Sequence, residues 1–219
     1  MAHVEQDLLT ALDDLASELD AHSSTPVNVS KPISYDKPSG SLTSDNIAKT
    51  IVRSLPENPI LIDEAVSSGR GFAEITSHAG PHDWLQNMGG AIGYGMPTAI
   101  GAAIACPDRK VLYMGGDGSA MYTEQALWTL ARENLDVTIL IFANRGYSSL
   151  KAQLPRVGIS EPGANSIDML SMDRPYIDWC SLAKGHGVES GLVNNLEELA
   201  IQLERGFSSD GPYLIELLV

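Results

Sequence analysis

Apolar positions change their period along this 219-residue chain. Near the amino end, Leu8, Leu12, Leu15 and Leu19 fall at i, i+4, i+7 and i+11, the single stripe of an amphipathic helix predicted over 5–20. The pattern then stops. Residues 21–42 carry Pro26, Pro32, Pro38, Gly40 and several serines and read as a linker. The expected division is a helix and linker over 1–42, the tail of a preceding domain, and one main domain over 43–219.

Within 43–219, short apolar runs alternate with helical stretches. Ser44-Asp45 opens a predicted helix that runs to Leu55. Pro59-Ile60-Leu61-Ile62 predicts a buried strand ending at Asp63. Residues 91–105 (AIGYGMPTAIGAAIA) are small and apolar and suit a helix packed closely on a sheet. Strands are predicted at 110–114, 136–143, 188–190 and 212–219, and helices at 122–134, 176–184 and 194–207. The run DVTILIFA at 136–143 is almost continuously apolar, as expected when helices cover both sheet faces. The alternation predicts an α/β fold, a doubly wound parallel sheet with helices on both faces. Ligands of such sheets bind beyond the carboxyl ends of the strands. Two of those ends carry polar, turn-forming residues: Gly115 to Ser119 and Asn144 to Tyr147.

Charge narrows the ligand. The chain has 28 acidic against 14 basic residues, a net charge of −14. That opposes nucleic acid, which needs a basic surface, and an anionic membrane, so neither partner is expected. An anionic ligand then needs local help, from a metal ion or from oriented N–H groups. Cys106 and Cys180 form no Cys-x-x-Cys pair and read as reduced core thiols of a cytoplasmic protein. The acidic start, MAHVEQDLLTALDD, does not resemble a signal peptide. No apolar run approaches the roughly 20 residues of a membrane helix. Asn28-Val29-Ser30 fits the N-glycosylation pattern, with nothing else pointing to secretion.

The first strand-end cluster is Gly115-Gly116-Asp117-Gly118-Ser119. Its glycines let backbone approach a ligand. Asp117 offers a hard oxygen suited to Mg2+ or Ca2+, and the helix expected beyond it favours anions. The second is Asn144-Arg145-Gly146-Tyr147. One helix separates the two strands, so they are expected to be neighbours. Asp117, Asn144 and a backbone carbonyl then supply three oxygens to a metal, with diphosphate oxygens and water completing an octahedron.

Gly116-Asp117-Gly118, followed by Asn144 27 residues after Asp117, resembles the signature of thiamine diphosphate enzymes. The stretch GDGSAMYTEQALWTLARENLDVTILIFANRGY is similar to acetolactate synthase large subunits and to benzoylformate decarboxylases. The resemblance covers about residues 43–219. It implies that Asp117 and Asn144 give side-chain oxygens, and Gly146 its carbonyl, to Mg2+. It places Val66, Ser67, Ser68, Gly116, Gly118, Ser119 and Tyr122 around the cofactor's diphosphate. Ile92 takes the place of the bulky residue that props the cofactor into a V shape, and the Gly90 carbonyl accepts from its 4′-amino group. Gln86, Asn87 and His82 are candidates for the substrate side of the site. Tyr94, Met96 and Met121 read as packing, and Lys151 and Arg156 as a solvated face.

The resemblance also implies what this chain lacks: a glutamate beside N1′ of the pyrimidine, carried by a separate domain and usually by another subunit. The implied function is the cofactor-binding part of a 2-oxo acid decarboxylase or carboligase, incomplete alone and homo-oligomeric when whole. The chain reads as a carboxyl-terminal fragment. The alternatives are the β-subunit of a split decarboxylase and a non-catalytic regulator that kept the fold.

Overall fold

The computed structural model describes residues 7–23 and 31–219. Chain contacts divide it into two units, Met1–Lys31 and Pro32–Val219. The first holds helix α1, Leu8–Glu18, which starts where Asp7 accepts the Thr10 N–H at 2.9 Å, a side-chain cap on an otherwise unpaired donor. Leu8, Leu12, Leu15 and Leu19 are exposed. Residues 5 and 6 of the predicted helix, Pro26 and the Asn28-Val29-Ser30 pattern lie outside the described residues.

The second unit opens with α2 (Ser44–Ser54), β1 (Ile60–Glu64), α3 (Phe72–Thr76), β2 (Asp83–Gln86) and α4 (Gly95–Ala105). Next come β3 (Val111–Gly116), α5 (Asp117–Ala120), α6 (Ala126–Arg132) and β4 (Val137–Ala143). The remainder is α7 (Ser148–Lys151), α8 (Ala164–Met169), α9 (Trp179–Gly185), β5 (Glu189–Val193), α10 (Leu196–Ser208) and β6 (Tyr213–Leu218). The six strands form one parallel sheet in the order β2-β1-β3-β4-β6-β5, the fold class expected from the alternation.

The four inner strands, β1, β3, β4 and β6, divide their apolar side chains between two cores. Leu61, Leu112, Met114, Leu140 and Phe142 face one, closed by Ile47 and Ile51 of α2 and Leu199 and Leu203 of α10. Ile62, Tyr113, Ile139 and Ile141 face the other, closed by Met96 of α4, Leu127 of α6 and Trp179 of α9. Alternate residues point to opposite faces, so a strand covered on both sides is apolar throughout. Strand β1 has β2 on one side and β3 on the other. The strand order therefore reverses beside β1, which opens a crevice at its carboxyl end.

The structure corrects several predicted elements. The helix expected from residue 91 begins at Gly95, because Gly93 holds φ +88°, outside the helical region. The helix expected over 122–134 is shorter, α6 running only from Ala126 to Arg132, and a separate single turn, α5, precedes it. Strand β2, DWLQ, is a short edge strand with mostly exposed side chains, so no apolar run announces it. Helix α3 and the short turns between Ser148 and Met169 are likewise new. Cys106 and Cys180 are half-buried rather than core thiols. Residues 32–42 hold to this unit without regular structure: Ile33 N–H donates to the His78 carbonyl and Arg53 to the Tyr35 carbonyl, both at 2.9 Å.

Candidate functional site

Strands β3 and β4 are hydrogen-bonded neighbours, with Gly116 opposite Phe142. Their tips, and the tip of β1, meet at one end of the sheet. There they enclose a cavity of about 190 Å3 lined by Val66, Ser67, Ile92, residues 116–119, Tyr122, Asn144 and residues 146–150. Of the sequence-predicted cofactor residues, Ser68 and Gly90 lie outside this lining, and the rest are brought together. Larger grooves of about 780 and 660 Å3 run beside α9 and β5 and beside α2 and α10. In the first, Arg205 is paired with Glu189 at 3.1 Å and Arg145 stacks on Tyr176. Neither groove has glycine-rich strand tips, so chemistry rather than size selects the smaller cavity.

Asp117 is the electrostatic centre of that cavity. It is 3% exposed. Its Oδ1 accepts the Gly118 N–H at 2.8 Å and its Oδ2 the Arg145 N–H at 2.6 Å. Among the described residues no lysine, arginine or histidine forms an ion pair with it. Burial pushes its carboxyl above the ordinary aspartate value, and the N–H bonds from Arg145 and Gly118 offset this only in part. A buried carboxylate without a cation is costly, and each of its oxygens keeps a free lone pair.

The neighbouring acceptors are also half-used. Asn144 Oδ1 accepts the Gly146 N–H at 3.1 Å, and the Gly146 carbonyl accepts from Ser148 at 2.9 Å. Arg145 between them holds φ +54°, an uncommon conformation for a residue with a side chain. Its guanidinium lies over the Tyr176 ring, 4.5 Å from the centroid. Asp117, Asn144 and Gly146 thus present one charged and two neutral hard oxygens, the donor chemistry of a Mg2+ site completed by phosphate and water. Helix α5, at four residues, is too short for the large dipole expected of a helix beyond Asp117.

A second wall is organised by Glu64, which is 1% exposed. Its Oε1 accepts the Gly93 N–H, and its Oε2 accepts the Gly95 N–H at 3.2 Å and the Tyr113 hydroxyl at 2.9 Å. Burial first, and then the Glu64 charge, push the Tyr113 phenol well above its ordinary value, so it remains a donor. The Gly93 carbonyl accepts the Thr123 hydroxyl at 2.8 Å. Sequence reasoning missed Glu64, Tyr113 and Thr123. The available signal was an acid closing an apolar strand, ILIDE, where a buried charge needs a reason.

The substrate-side candidates fare differently. His82 bonds the carbonyl of Gly80 at 2.8 Å and precedes Asp83, which pairs with Ile60 at the start of β1. It therefore sits at the amino end of β2, away from the cavity, and the structure does not bring it to the site. Gln86 ends β2 at the cavity side of the sheet and accepts the Trp84 indole N–H at 3.3 Å. Asn87 follows, with its Oδ1 buried and unpartnered. Neither lines the cavity.

Residues 66–217 match the family described as thiamine pyrophosphate enzyme, C-terminal TPP binding domain. Over 211 residues the chain is 44% identical to the Mycobacterium tuberculosis protein named "Putative acetolactate synthase large subunit IlvX", covering 95% of this chain and 40% of that one. It is 30% identical over 193 residues to benzoylformate decarboxylase of Pseudomonas aeruginosa, covering 88% of this chain and 35% of that one. The solved Rhodococcus jostii thiamine diphosphate-dependent 4-hydroxybenzoylformate decarboxylase superposes with a TM-score of 0.71 at 25% identity, over 94% of this chain and 38% of that one. The chain thus spans two fifths or less of the length of these proteins.

Proposed function

Because this chain belongs to the thiamine pyrophosphate enzyme family, as its C-terminal TPP-binding domain, we propose that it holds thiamine diphosphate through Mg2+ at the tips of β1, β3 and β4. The observation that carries this reading is Asp117, a buried carboxylate with no ion-pair partner among the described residues, set beside the half-used oxygens of Asn144 and Gly146. These three hold Mg2+. Val66, Ser67, Ser68, Gly116, Gly118, Ser119 and Tyr122 surround the diphosphate. Ile92 supports the bent cofactor, and the Gly90 carbonyl, which already accepts the Ile92 N–H at 3.0 Å, has a second lone pair for the 4′-amino group.

When bound, the cofactor supplies an electron sink for decarboxylation or carboligation of a 2-oxo acid. The chain's own residues position it and exclude water. Gln86 and Asn87, at the carboxyl end of β2, are assigned to the substrate side. The activating glutamate comes from a separate pyrimidine-binding domain or subunit. Glu64 does not replace it, because its carboxylate is buried against the Gly93 and Gly95 N–H groups and the Tyr113 hydroxyl and does not line the cavity. The complete enzyme is a homo-oligomer acting in the cytoplasm, and this chain alone turns over nothing measurable. Among the described residues no helix is long and apolar enough to cross a membrane.

Calorimetric titration of thiamine diphosphate into the chain tests the site, with Mg2+ and then with EDTA. Metal-dependent binding that disappears in Asp117→Ala supports it. Binding that survives EDTA or Asp117→Ala refutes it.

A further inference from the structure

Gly93 is held from both directions. Its N–H donates to Glu64 and its carbonyl accepts the Thr123 hydroxyl at 2.8 Å. At φ +88°, with a would-be Cβ 2.6 Å from Cβ of Tyr122, this position admits only glycine. Two residues on, Gly95 N–H donates to the second Glu64 oxygen, and the Tyr94 hydroxyl donates to the Asp63 carbonyl at 2.8 Å. The segment fixed in this way follows directly on Ile92, whose half-exposed side chain forms part of the cavity wall. Apart from Tyr122, which precedes Thr123 and packs on Gly93, the diphosphate cradle is tied separately. Asp117 is held by Gly118 and Arg145, and Asn144 by Gly146. Among the described hydrogen bonds, none joins Glu64 or Thr123 to those residues.

We infer that Glu64 and Thr123 are positioning residues that clamp Gly93 and thereby set Ile92 as a rigid seat for the cofactor's pyrimidine end, independently of the diphosphate end. This rests on the proposed function and adds a division of labour to it. A seat ordered before binding costs the ligand little to use, whereas a loose one must be ordered on binding. The Glu64 side chain is well placed for the task because it satisfies two backbone donors and a phenol in a space closed to water, where such bonds are strong.

The division is tested by calorimetry on the full chain with Mg2+, comparing thiamine diphosphate with inorganic diphosphate, which has no pyrimidine. Glu64→Gln and Thr123→Val should each weaken thiamine diphosphate about tenfold or more, the scale of one buried hydrogen bond, while inorganic diphosphate stays within about twofold. Thr123→Ser keeps the hydroxyl and should restore the unmodified ratio. Equal weakening of both ligands, or of neither, overturns the inference and leaves the proposed function standing. Failure of the unmodified chain to bind either ligand removes both. If Glu64→Gln does not fold, the Thr123→Val and Thr123→Ser pair decides the matter.

Discussion

Two glycines of α4 should respond to alanine in opposite directions. At Gly101 an added Cβ meets no heavy atom within 4 Å. Alanine there should stabilise the chain by about 0.5–1 kcal/mol, the ordinary helix-propensity difference. At Gly95 the same atom would fall 2.2 Å from Cε2 of Tyr113 and 2.6 Å from Oε2 of Glu64. Carbon atoms rest comfortably at about 3.5 Å, so something must move by about an ångström. Neither neighbour is free to do so: Tyr113 is fully buried and its hydroxyl is bonded to Glu64. Overpacking of this kind costs about 1–3 kcal/mol, and a loosened buried hydrogen bond adds about 1 kcal/mol, which together outweigh the propensity gain. At roughly 2–4 °C per kcal/mol for a chain of this size, Gly101→Ala should melt a few degrees above the unmodified chain and Gly95→Ala several degrees below it. Urea titrations followed by circular dichroism measure both. A Gly95→Ala chain as stable as Gly101→Ala would show that Tyr113 and Glu64 do not fill the space beneath the start of α4.

The other expectations concern binding, capping and association. Thiamine diphosphate with Mg2+ at about 100 times its dissociation constant should stabilise the chain by about 2.7 kcal/mol, and thermal melts of Asp117→Ala should show no such gain. Asp178 caps α9 by accepting the Ser181 N–H at 2.8 Å, and its bonds to Ser181 hold its carboxyl below the ordinary value. Asp178→Ala should therefore cost about 1 kcal/mol at neutral pH. Because the folded value lies below the unfolded one, that contribution is whole above about pH 4 and is lost as pH falls through the folded value. The two stability curves should converge in acid, and a constant offset down to pH 2 would contradict the assignment. Val66, Ile92 and Tyr122 leave apolar surface exposed in the cavity wall, and Met88 and Met121 are exposed as well, so the chain should self-associate. Light scattering that reports a monomer at every concentration would count against this.

The parts of the fold that can be read from the sequence are those whose cause is local. The runs ending at Met114 and Ala143 are apolar because both faces are covered, and the glycines and Asn144 stand out against them. The parts that stay hidden depend on distant partners. A helix beginning at residue 91 is reasonable from AIGYGMP alone, but Glu64, 29 residues away from Gly93, captures its N–H and turns the chain out of the helical region. Thr123 is spent on the Gly93 carbonyl, and regular helix resumes only at Ala126. Strand β2 exists because β1 offers it a parallel edge, from Ile60 opposite Asp83 to Asp63 opposite Gln86. His82, just before the start of β2, shows that closeness in sequence to the cofactor segment does not fix which end of a strand a residue occupies.

Among the described residues lining the cavity at the tips of β1, β3 and β4, none carries a positive charge, and Asp117 is negative. The whole chain is at −14. At long range a free diphosphate ester meets the net negative charge of the chain, and close in the Lys151 ammonium beside Gly146 only partly offsets it, so under the proposed function magnesium acts as the admission ticket. Occupancy should follow free Mg2+ as closely as it follows cofactor, and the two should enter as one species. Added salt screens repulsion as readily as attraction. It should therefore hasten capture of the free ester here, the reverse of what a lysine- or arginine-lined phosphate site would show.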